Sequence, residues 1–329
     1  DPVALIRDEK IRAAFLPKGG VFNPTRFQTY GACPYRYFAS RVLGLEEMEE
    51  GIDAREVGTL LHKVLESYWR ERVEGKKREL EKPGPAKAFV TEKLDALLKE
   101  KPLSGERKYR VELEIAEMKE WLSRMVEKEI EEGNPLQPLK PTYFEFQFGI
   151  KPNETDYLRL FDPHREDLKV RGKIDRIDVD PSGKYALVID YKTGGSFKRE
   201  DLEFGTALQL PLYLLAAQKL LKLKPLAGMI YQIREAESTG FYAREGLEEL
   251  GISKRSQNVL PKEDFDRVIE RTVRFAFQYA DGITKAEIPV RPRDCDRHCP
   301  FSSVCRIEKW RLPFIYEEIR EEDRQRGIV

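Results

Sequence analysis

The stretch LKVRGKIDRIDVDPSGKYALVIDYKTG constrains the fold more than any other part of the chain. Two strand-like runs flank Pro181-Ser182-Gly183, a turn signal, so they read as an antiparallel hairpin. The second run, Ala186-Leu187-Val188-Ile189, is apolar without alternation, as in a strand buried on both faces. It then meets Asp190, Tyr191 and Lys192. An uncompensated buried charge is very costly, so a carboxylate and an ammonium ending such a strand are expected to be held there for chemistry. Side chains alternate along a strand, which puts Asp190 and Lys192 on one face with Val188, and Asp175 on one face with Ile177 and Val179. With the turn centred between Ser182 and Gly183, Asp175 falls opposite Asp190, their Cβ atoms about 4.5–5.5 Å apart. Facing carboxylates repel unless something positive lies between them. A divalent cation with oxygen ligands meets that need, and Mg2+ suits a small carboxylate set completed by water and phosphate. Lys192 stands beside the pair, placed to steady an attacking water or a developing phosphate charge. The competing reading is a surface hairpin with both acids in solvent. A lone D-x-K is common; GxxD on one strand and an apolar run ending in D-x-K on the next is much more specific.

Helix and strand signals surround this hairpin. Asn23 is a helix N-cap candidate with Pro24 at the first helical position, and aromatics follow at Phe27, Tyr30, Tyr35 and Phe38. Val57, Leu61, Val64, Leu65 and Tyr68 line one side of a helix over 54–72. EKPGPAK (81–87) reads as a linker, and 88–132 as charge-rich helix with a break near Pro102-Leu103-Ser104-Gly105. TYFEFQFGI alternates, with Tyr143, Glu145 and Gln147 against Phe144, Phe146 and Phe148, and predicts a strand. FGTALQLPLYLLAAQKLL predicts a helix and LAGMIYQIRE a strand. PKEDFDRVIERTVRFAFQYADGI predicts an amphipathic helix with Phe265, Val268, Ile269, Val273 and Phe277 inward. The economical architecture is one α/β domain over 1–329, a central mixed sheet flanked by helices. Within it, 22–72 holds the N-terminal helices, 73–140 a helical insertion, 141–235 the catalytic sheet and the helix that follows its hairpin, and 236–329 a C-terminal helix and a cysteine-rich segment.

Basic and acidic residues balance at 58 each. A nucleic-acid partner would therefore be met by a local basic patch and not by net charge. Arg171, Lys173 and Arg176 are candidate phosphate contacts, although charged strand faces are usually only solvated. No run of about 18 apolar residues is present, and no membrane span is expected. No signal peptide is visible, and a cytoplasmic protein is expected. The chain opens DPVALIRDEK, without Met, as expected of a piece cut from a longer protein. Of the four cysteines, Cys295, Cys299 and Cys305 cluster as C-x3-C-x5-C, and Cys33 lies far away. Two disulfides are one arrangement. With nothing else pointing to secretion, metal binding is the better one. His298, between the clustered cysteines, reads as a bystander.

Taken together and in order, these residues resemble the PD-(D/E)XK nuclease superfamily, in its RecB-like branch. GTLLHKVLE carries His62 on an early helix, GKIDRID supplies Asp175, and VIDYKTG supplies Asp190 and Lys192. QLPLY supplies Gln209 and Tyr213, one turn apart on one helix face. The resemblance runs from about Asn23 to Arg306. Taken singly, His62 is an ordinary half-buried histidine and Gln209 with Tyr213 a routine polar stripe; the ordered set reverses both readings. The resemblance implies a restriction-endonuclease-like core and a metal-dependent deoxyribonuclease, an exonuclease by its branch. His62, Asp175, Asp190 and the Tyr191 backbone carbonyl would bind Mg2+ or Mn2+, and Lys192 would assist hydrolysis. Gln209 and Tyr213 would flank the metal and orient the substrate or the lysine. Glu145 is a possible further acid, read here as a strand-surface residue. Cys33 in ACPYRYF, together with CPFSSVCR, is similar to nuclease domains of AddB-type helicase–nuclease subunits and CRISPR-associated relatives. In those, one N-terminal and three C-terminal cysteines hold a 4Fe–4S cluster. Here that implies a clasp of Cys33, Cys295, Cys299 and Cys305 joining the two ends of the domain. This sequence has three residues where the usual pattern has two between the first C-terminal pair, and four thiolates also suit zinc as a less favoured occupant. The implied setting is a recombination-repair helicase–nuclease acting on DNA, with the rest of its subunit and a partner subunit. Two alternatives stay open: a stand-alone Fe–S nuclease of CRISPR-adaptation type, and a catalytically idle DNA-binding scaffold, against which the intact His62, Asp175, Asp190 and Lys192 argue.

Overall fold

The computed structural model of the chain describes residues 6, 8–45, 52–103, 108–150, 156–295 and 299–328. In chain order its strands are β1 (Val21–Phe22), β2 (Lys140–Phe148), β3 (Leu158–Leu160), β4 (Leu168–Val170), β5 (Gly172–Val179), β6 (Tyr185–Lys192), β7 (Lys224–Gln232), β8 (Glu237–Ala243) and β9 (Val259–Leu260). Six form the main sheet in the order β2-β5-β6-β7-β8-β9, and β1-β4-β3 form a small second one. The main sheet is mixed. Strands β5 and β6 are an antiparallel hairpin, whereas β6 and β7 run parallel, with the helix Gln209–Leu221 in the crossover that a parallel pair requires. This is the mixed sheet with flanking helices expected from the sequence. It runs on past residue 235 through β8 and β9.

The hairpin has the register of a turn centred between Ser182 and Gly183: Val179 lies opposite Ala186, Asp178 opposite Leu187, Ile177 opposite Val188 and Arg176 opposite Ile189. The Asp180 carboxylate holds the turn by accepting the N–H groups of Ser182, Lys184 and Tyr185. Gly183 sits at φ +72°, a left-handed conformation in which a side chain would be strained. The run before β5, read above as one strand from Leu168, is in fact two. Strands β4 and β5 part at Arg171, whose N–H donates to the Phe22 carbonyl at 2.9 Å, and they enter different sheets.

Alternation along β6 sorts two cores. Val188 joins Phe27, Leu212 and Phe275, beneath the helices Pro24–Ala32, Gln209–Leu221 and Lys262–Thr284. Leu187 and Ile189 join Leu61, Leu65, Val90 and Leu122 on the other face. The helical insertion belongs to that second core. Its helices Pro83–Glu100 and Lys108–Glu131 are tied by the Lys87–Glu127 and Lys119–Asp95 ion pairs. They bury Val90, Leu94, Leu122 and Met125, each worth roughly 1.5–3 kcal/mol relative to exposure. The insertion is therefore the cover of one sheet face. Of its expected break, Ser104 and Gly105 lie outside the described residues, as does His298. No helix among the described residues is long and apolar enough to cross a membrane.

Candidate active site

The β5–β6 ladder ends at Arg176 and Ile189. One step further Asp175 faces Asp190, and there the carboxylate replaces the ladder: Asp175 Oδ2 accepts the Tyr191 N–H at 2.7 Å. Both acids are buried, at 7% and 3% exposure. Tyr191 is held from its other end as well, because its phenol accepts the Trp69 indole N–H at 2.9 Å in the second core. Its backbone carbonyl is left facing His62.

His62 comes from the helix Ala54–Trp69, which forms because Val57, Leu61, Val64, Leu65 and Tyr68 share the face that packs on the sheet. The helix begins at Asp53, whose carboxylate accepts the Arg55 N–H at 2.8 Å. His62 Nδ1 lies 3.2 Å from Asp175 Oδ1, and Nε2 lies 3.1 Å from the Tyr191 carbonyl oxygen. Burial disfavours the charged ring, but the Asp175 hydrogen bond and the charges of Asp175, Asp190 and Glu145 outweigh it and raise the pKa. A ring protonated on both nitrogens donates to both oxygens. Those same two oxygens are ligands suited to a cation.

Asp190, Lys192, Gln209 and Tyr213 form one hydrogen-bonded group. Lys192 Nζ is 2.8 Å from Asp190 Oδ2 and donates to Gln209 Oε1 at 3.2 Å. Gln209 Nε2 donates to Asp190 Oδ1 at 2.7 Å and to the Tyr213 hydroxyl at 3.2 Å. Gln209 opens its helix, so Tyr213 follows one turn later on the same face. Burial pushes the Asp190 carboxyl up to about 6; Lys192 opposes the rise and Asp175 adds to it. Burial, then the neighbouring Asp190 charge, keeps the Tyr213 phenol protonated.

Glu145 departs from the sequence reading. It is a half-buried member of the site and not a strand-surface residue. His62, Glu145 and Asp175 bring donor atoms within 4.8 Å of one another, and Asp190, engaged by Lys192 and Gln209, stands outside that triad. The cause is a backbone turn. Glu145 has φ +52°, rare for a residue with a side chain and strained inside a strand. The expected alternation of β2 breaks there: Phe144 packs in the second core, stacked on Trp69, while Phe148 lies in the first against Tyr213. Burial raises the Glu145 pKa, partly offset by Lys173, which pairs with its carboxylate. An acid between two phenylalanines was the available signal.

Arg176 also corrects the sequence reading. It is fully buried and cannot reach a phosphate. Its Nε and Nη2 both donate to Asp178 at 2.6 Å, Nη2 donates to Glu129 at 2.8 Å, and the guanidinium lies 4.1 Å from the Trp69 ring centroid. This network ties the insertion to the hairpin behind Tyr191. Arg171 remains exposed, and Lys173 is half exposed beside Glu145.

The four cysteines also meet. Cys33 follows the helix Pro24–Ala32, and the Arg293 and Asp294 N–H groups both donate to the Ala32 carbonyl, at 2.8 and 3.2 Å. That contact lays the C-terminal segment against the N-terminal one. Cys33, Cys295, Cys299 and Cys305 line one small cavity with Tyr35, and all four are free thiols. Burial pushes the Cys33 thiol up to about 11, and its neighbours Cys299 and Cys305 add to the rise.

The chain is similar in sequence to known nuclease proteins. The PD-(D/E)XK nuclease superfamily matches residues 21–306. An ATP-dependent helicase/deoxyribonuclease subunit of Lachnoclostridium phytofermentans is 31% identical over 203 residues, covering 60% of this chain and 17% of that protein. The protein of the same name from Lactococcus lactis subsp. lactis is 24% identical over 328 residues, covering 86% of this chain and 28% of the relative. The exonuclease/helicase subunit RexB of Lactococcus lactis subsp. cremoris is 23% identical, with the same coverage. The chain thus spans less than a third of the length of these relatives. The family match takes in the helix of His62, the hairpin of Asp175, Asp190 and Lys192, and the helix of Gln209 and Tyr213, and on that extent the chain belongs to the PD-(D/E)XK nuclease superfamily.

Proposed function

We propose that the chain is the nuclease module of a longer DNA-processing protein, hydrolysing DNA phosphodiesters from an end with a divalent cation held at His62, Glu145, Asp175 and Asp190. One observation carries this reading: an imidazole and three carboxylates from four separate elements converge at the open end of the β5–β6 hairpin. Packing gains nothing from such a set, since burial and like charge disfavour it. Lys173 and Lys192 are the ammonium groups paired with these acids. A hard cation with oxygen and imidazole ligands fits the remaining charge. When bound, Mg2+ or Mn2+ supplies Lewis acidity toward the phosphodiester and lowers the pKa of a water molecule.

The residues have separable tasks. Asp175 both offers a carboxylate oxygen and fixes the Tyr191 backbone, so the Tyr191 carbonyl is a further oriented ligand. Lys192 holds an ammonium where phosphoryl charge grows. Gln209 bridges Lys192 and Asp190 and keeps both in place. Hydrolysis forms one bond, from water oxygen to phosphorus. It breaks one, from phosphorus to the leaving sugar oxygen, which takes up a proton. No bond to the protein is formed.

The cysteine cavity is read as a 4Fe–4S site with zinc as the second choice. Four free thiols from both ends of the chain support this, and none of the acid–lysine residues lines the cavity. The role is therefore structural. The relatives' names support a setting with the rest of a helicase–nuclease subunit and a partner subunit. The test is end-labelled single- and double-stranded DNA with Mg2+ or Mn2+, with and without EDTA, beside a folded Asp190→Asn protein. Chelator-sensitive release of label by the native protein alone is expected. Cleavage that survives EDTA, or that Asp190→Asn retains at the native rate, overturns the reading.

A further inference from the structure

A second charged site lies away from the acids. After Lys192 the chain leaves β6 and reaches Phe197, whose N–H donates to Thr239 Oγ1 on β8 at 3.1 Å and whose ring stacks on Phe241 at 5.6 Å. These two rings line a small cavity together with Arg199, Arg267, Arg271 and Asn258, and with Glu203 and Asp264. The charges there do not balance. Arg199 donates to Glu203 at 3.1 Å and Arg267 donates to Asp264 at 2.8 Å, so each carboxylate is engaged by an arginine other than Arg271. Arg271 Nε is buried with no acceptor, and Asn258 Oδ1 is buried with no donor. An unmade hydrogen bond at a buried polar group is destabilising, more so when the group is charged. Burial, with the like charges of Arg267, Arg199 and Arg274, lowers the Arg271 pKa, while Glu203 only partly opposes them. Three guanidinium groups line the cavity against two carboxylates, so guanidinium is in excess. A tetrahedral oxyanion suits it: it accepts from several guanidinium groups at once, and a half-turn of the Asn258 amide adds an N–H donor.

We propose that the cavity bounded by Arg199, Arg267, Arg271 and Asn258 binds a backbone phosphate of the nucleic-acid strand being cut, as a subsite separate from the acid–lysine centre. The proposal rests on the nucleic-acid-substrate reading above. Its position fits. Four residues separate Lys192 from Phe197, five chain steps that span at most about 18 Å. At about 3.4 Å of axis rise per phosphate along one strand of a duplex, the cavity lies within a handful of nucleotides of the cleavage centre. A chain with no net charge gains a local contact of this kind where the substrate passes.

The test compares the native chain with Arg271→Gln, using a short 5′-labelled single strand in EDTA for binding, and the same strand with Mn2+ for turnover. Arg271→Gln is expected to weaken binding about tenfold at low salt. It should also flatten the slope of log affinity against log salt by about 0.7, the loss of one phosphate contact on a single strand. Turnover at saturating strand should not change, and the melting temperature should not fall, because the guanidinium removed has an unpaired Nε. Equal affinity and equal slope in the two proteins overturn the proposal. So does a variant that loses stability in proportion to its binding. Inorganic phosphate, titrated into both, separates the sources: phosphate binding that depends on Arg271 without any change in strand affinity makes this a free-phosphate site and overturns the strand assignment. A native protein that binds no strand at all fails at the earlier, DNA-substrate reading, which the paired comparison distinguishes from failure of the subsite alone.

Discussion

Asp190 holds its carboxyl where the sheet leaves it almost no water, and its neighbours decide whether that is tolerable. Lys192 and Gln209 take one oxygen each. Lys192 is thus committed to the acid before any substrate arrives, and its ammonium is already oriented. Lys192→Ala is therefore expected to act on turnover: kcat should fall about 100-fold or more, as when an electrostatic donor to a transition state is removed. Strand affinity should stay within about threefold. Rapid-quench turnover beside equilibrium binding checks this, and a pure binding defect at native kcat contradicts the role. Glu145 makes a different demand. It reaches His62 and Asp175 only because its backbone adopts φ +52°. If it is a ligand, Glu145→Gln should raise the Mn2+ concentration needed for half-maximal activity by about tenfold or more, with a melting temperature close to native. A native metal requirement returns Glu145 to the role of ion-pair partner for Lys173.

The hairpin is the element on which the site depends, and Asp180 holds its closed end. Burial works to raise the pKa of that carboxyl, but the Ser182 hydroxyl and the N–H groups of Tyr185, Ser182 and Lys184 outweigh it, and the net shift is downward. A carboxylate with a lowered folded-state pKa gives stability that is fully present above the ordinary value of about 4 and is lost as pH falls below it and through the lowered folded-state value. Asp180→Ala should cost about 1–3 kcal/mol at pH 7. The gap from the native protein should close as thermal melts are run from pH 6 down to pH 3; a gap that widens on acidification gives the carboxylate the wrong role. The register of this hairpin is legible in the sequence because a turn signal and a period of two suffice to set it. The same pattern is silent on three points. It cannot tell which sheet a strand enters, so it joins β4 to β5. It assumes regular backbone, so it misses the left-handed Glu145 and the split faces of Phe144 and Phe148. It treats Arg176 as surface because a charged residue in a strand normally is, whereas Glu129, Asp178 and Trp69, distant in sequence or on the same strand, close around it. Asp175, Asp190 and Lys192 are legible because their spacing maps onto two paired strands, whereas Gln209 and Tyr213, one helical turn apart, read alone as a polar stripe and are marked only by the resemblance to the nuclease superfamily.

Over the whole molecule, the two ends of the fold are fastened more than once. The Tyr30 hydroxyl donates to the Glu287 carbonyl at 2.9 Å, Arg293 N–H donates to the Ala32 carbonyl, and the Arg293 guanidinium pairs with buried Asp323 on the helix Leu312–Gln325. The thiols of Cys33, Cys295, Cys299 and Cys305 lie at the same junction. A cluster bound by all four exists only when the ends have met, so its binding energy adds to folding. The loop it closes covers most of the chain, but closure entropy grows only with the logarithm of loop length, and the junction keeps its other fastenings when the cluster is lost. Cys33→Ser is therefore expected to loosen the domain without unfolding it. A loss of roughly 2–4 kcal/mol, as for removal of a long-range cross-link, corresponds to a fall in melting temperature of about 3–6 °C for a domain of this size. Iron and sulfide should leave together, with the visible absorption. Cleavage assayed well below the new melting temperature should persist, because no acid–lysine residue lines the thiol cavity. Anaerobic purification followed by iron, sulfide and zinc analysis decides the occupant: a colourless native protein with stoichiometric zinc makes this a zinc clasp, and a Cys33→Ser protein with full metal content removes Cys33 from the ligand set. Loss of activity in a variant that still melts at the native temperature would show the cluster acting on the chemistry and not on the fold.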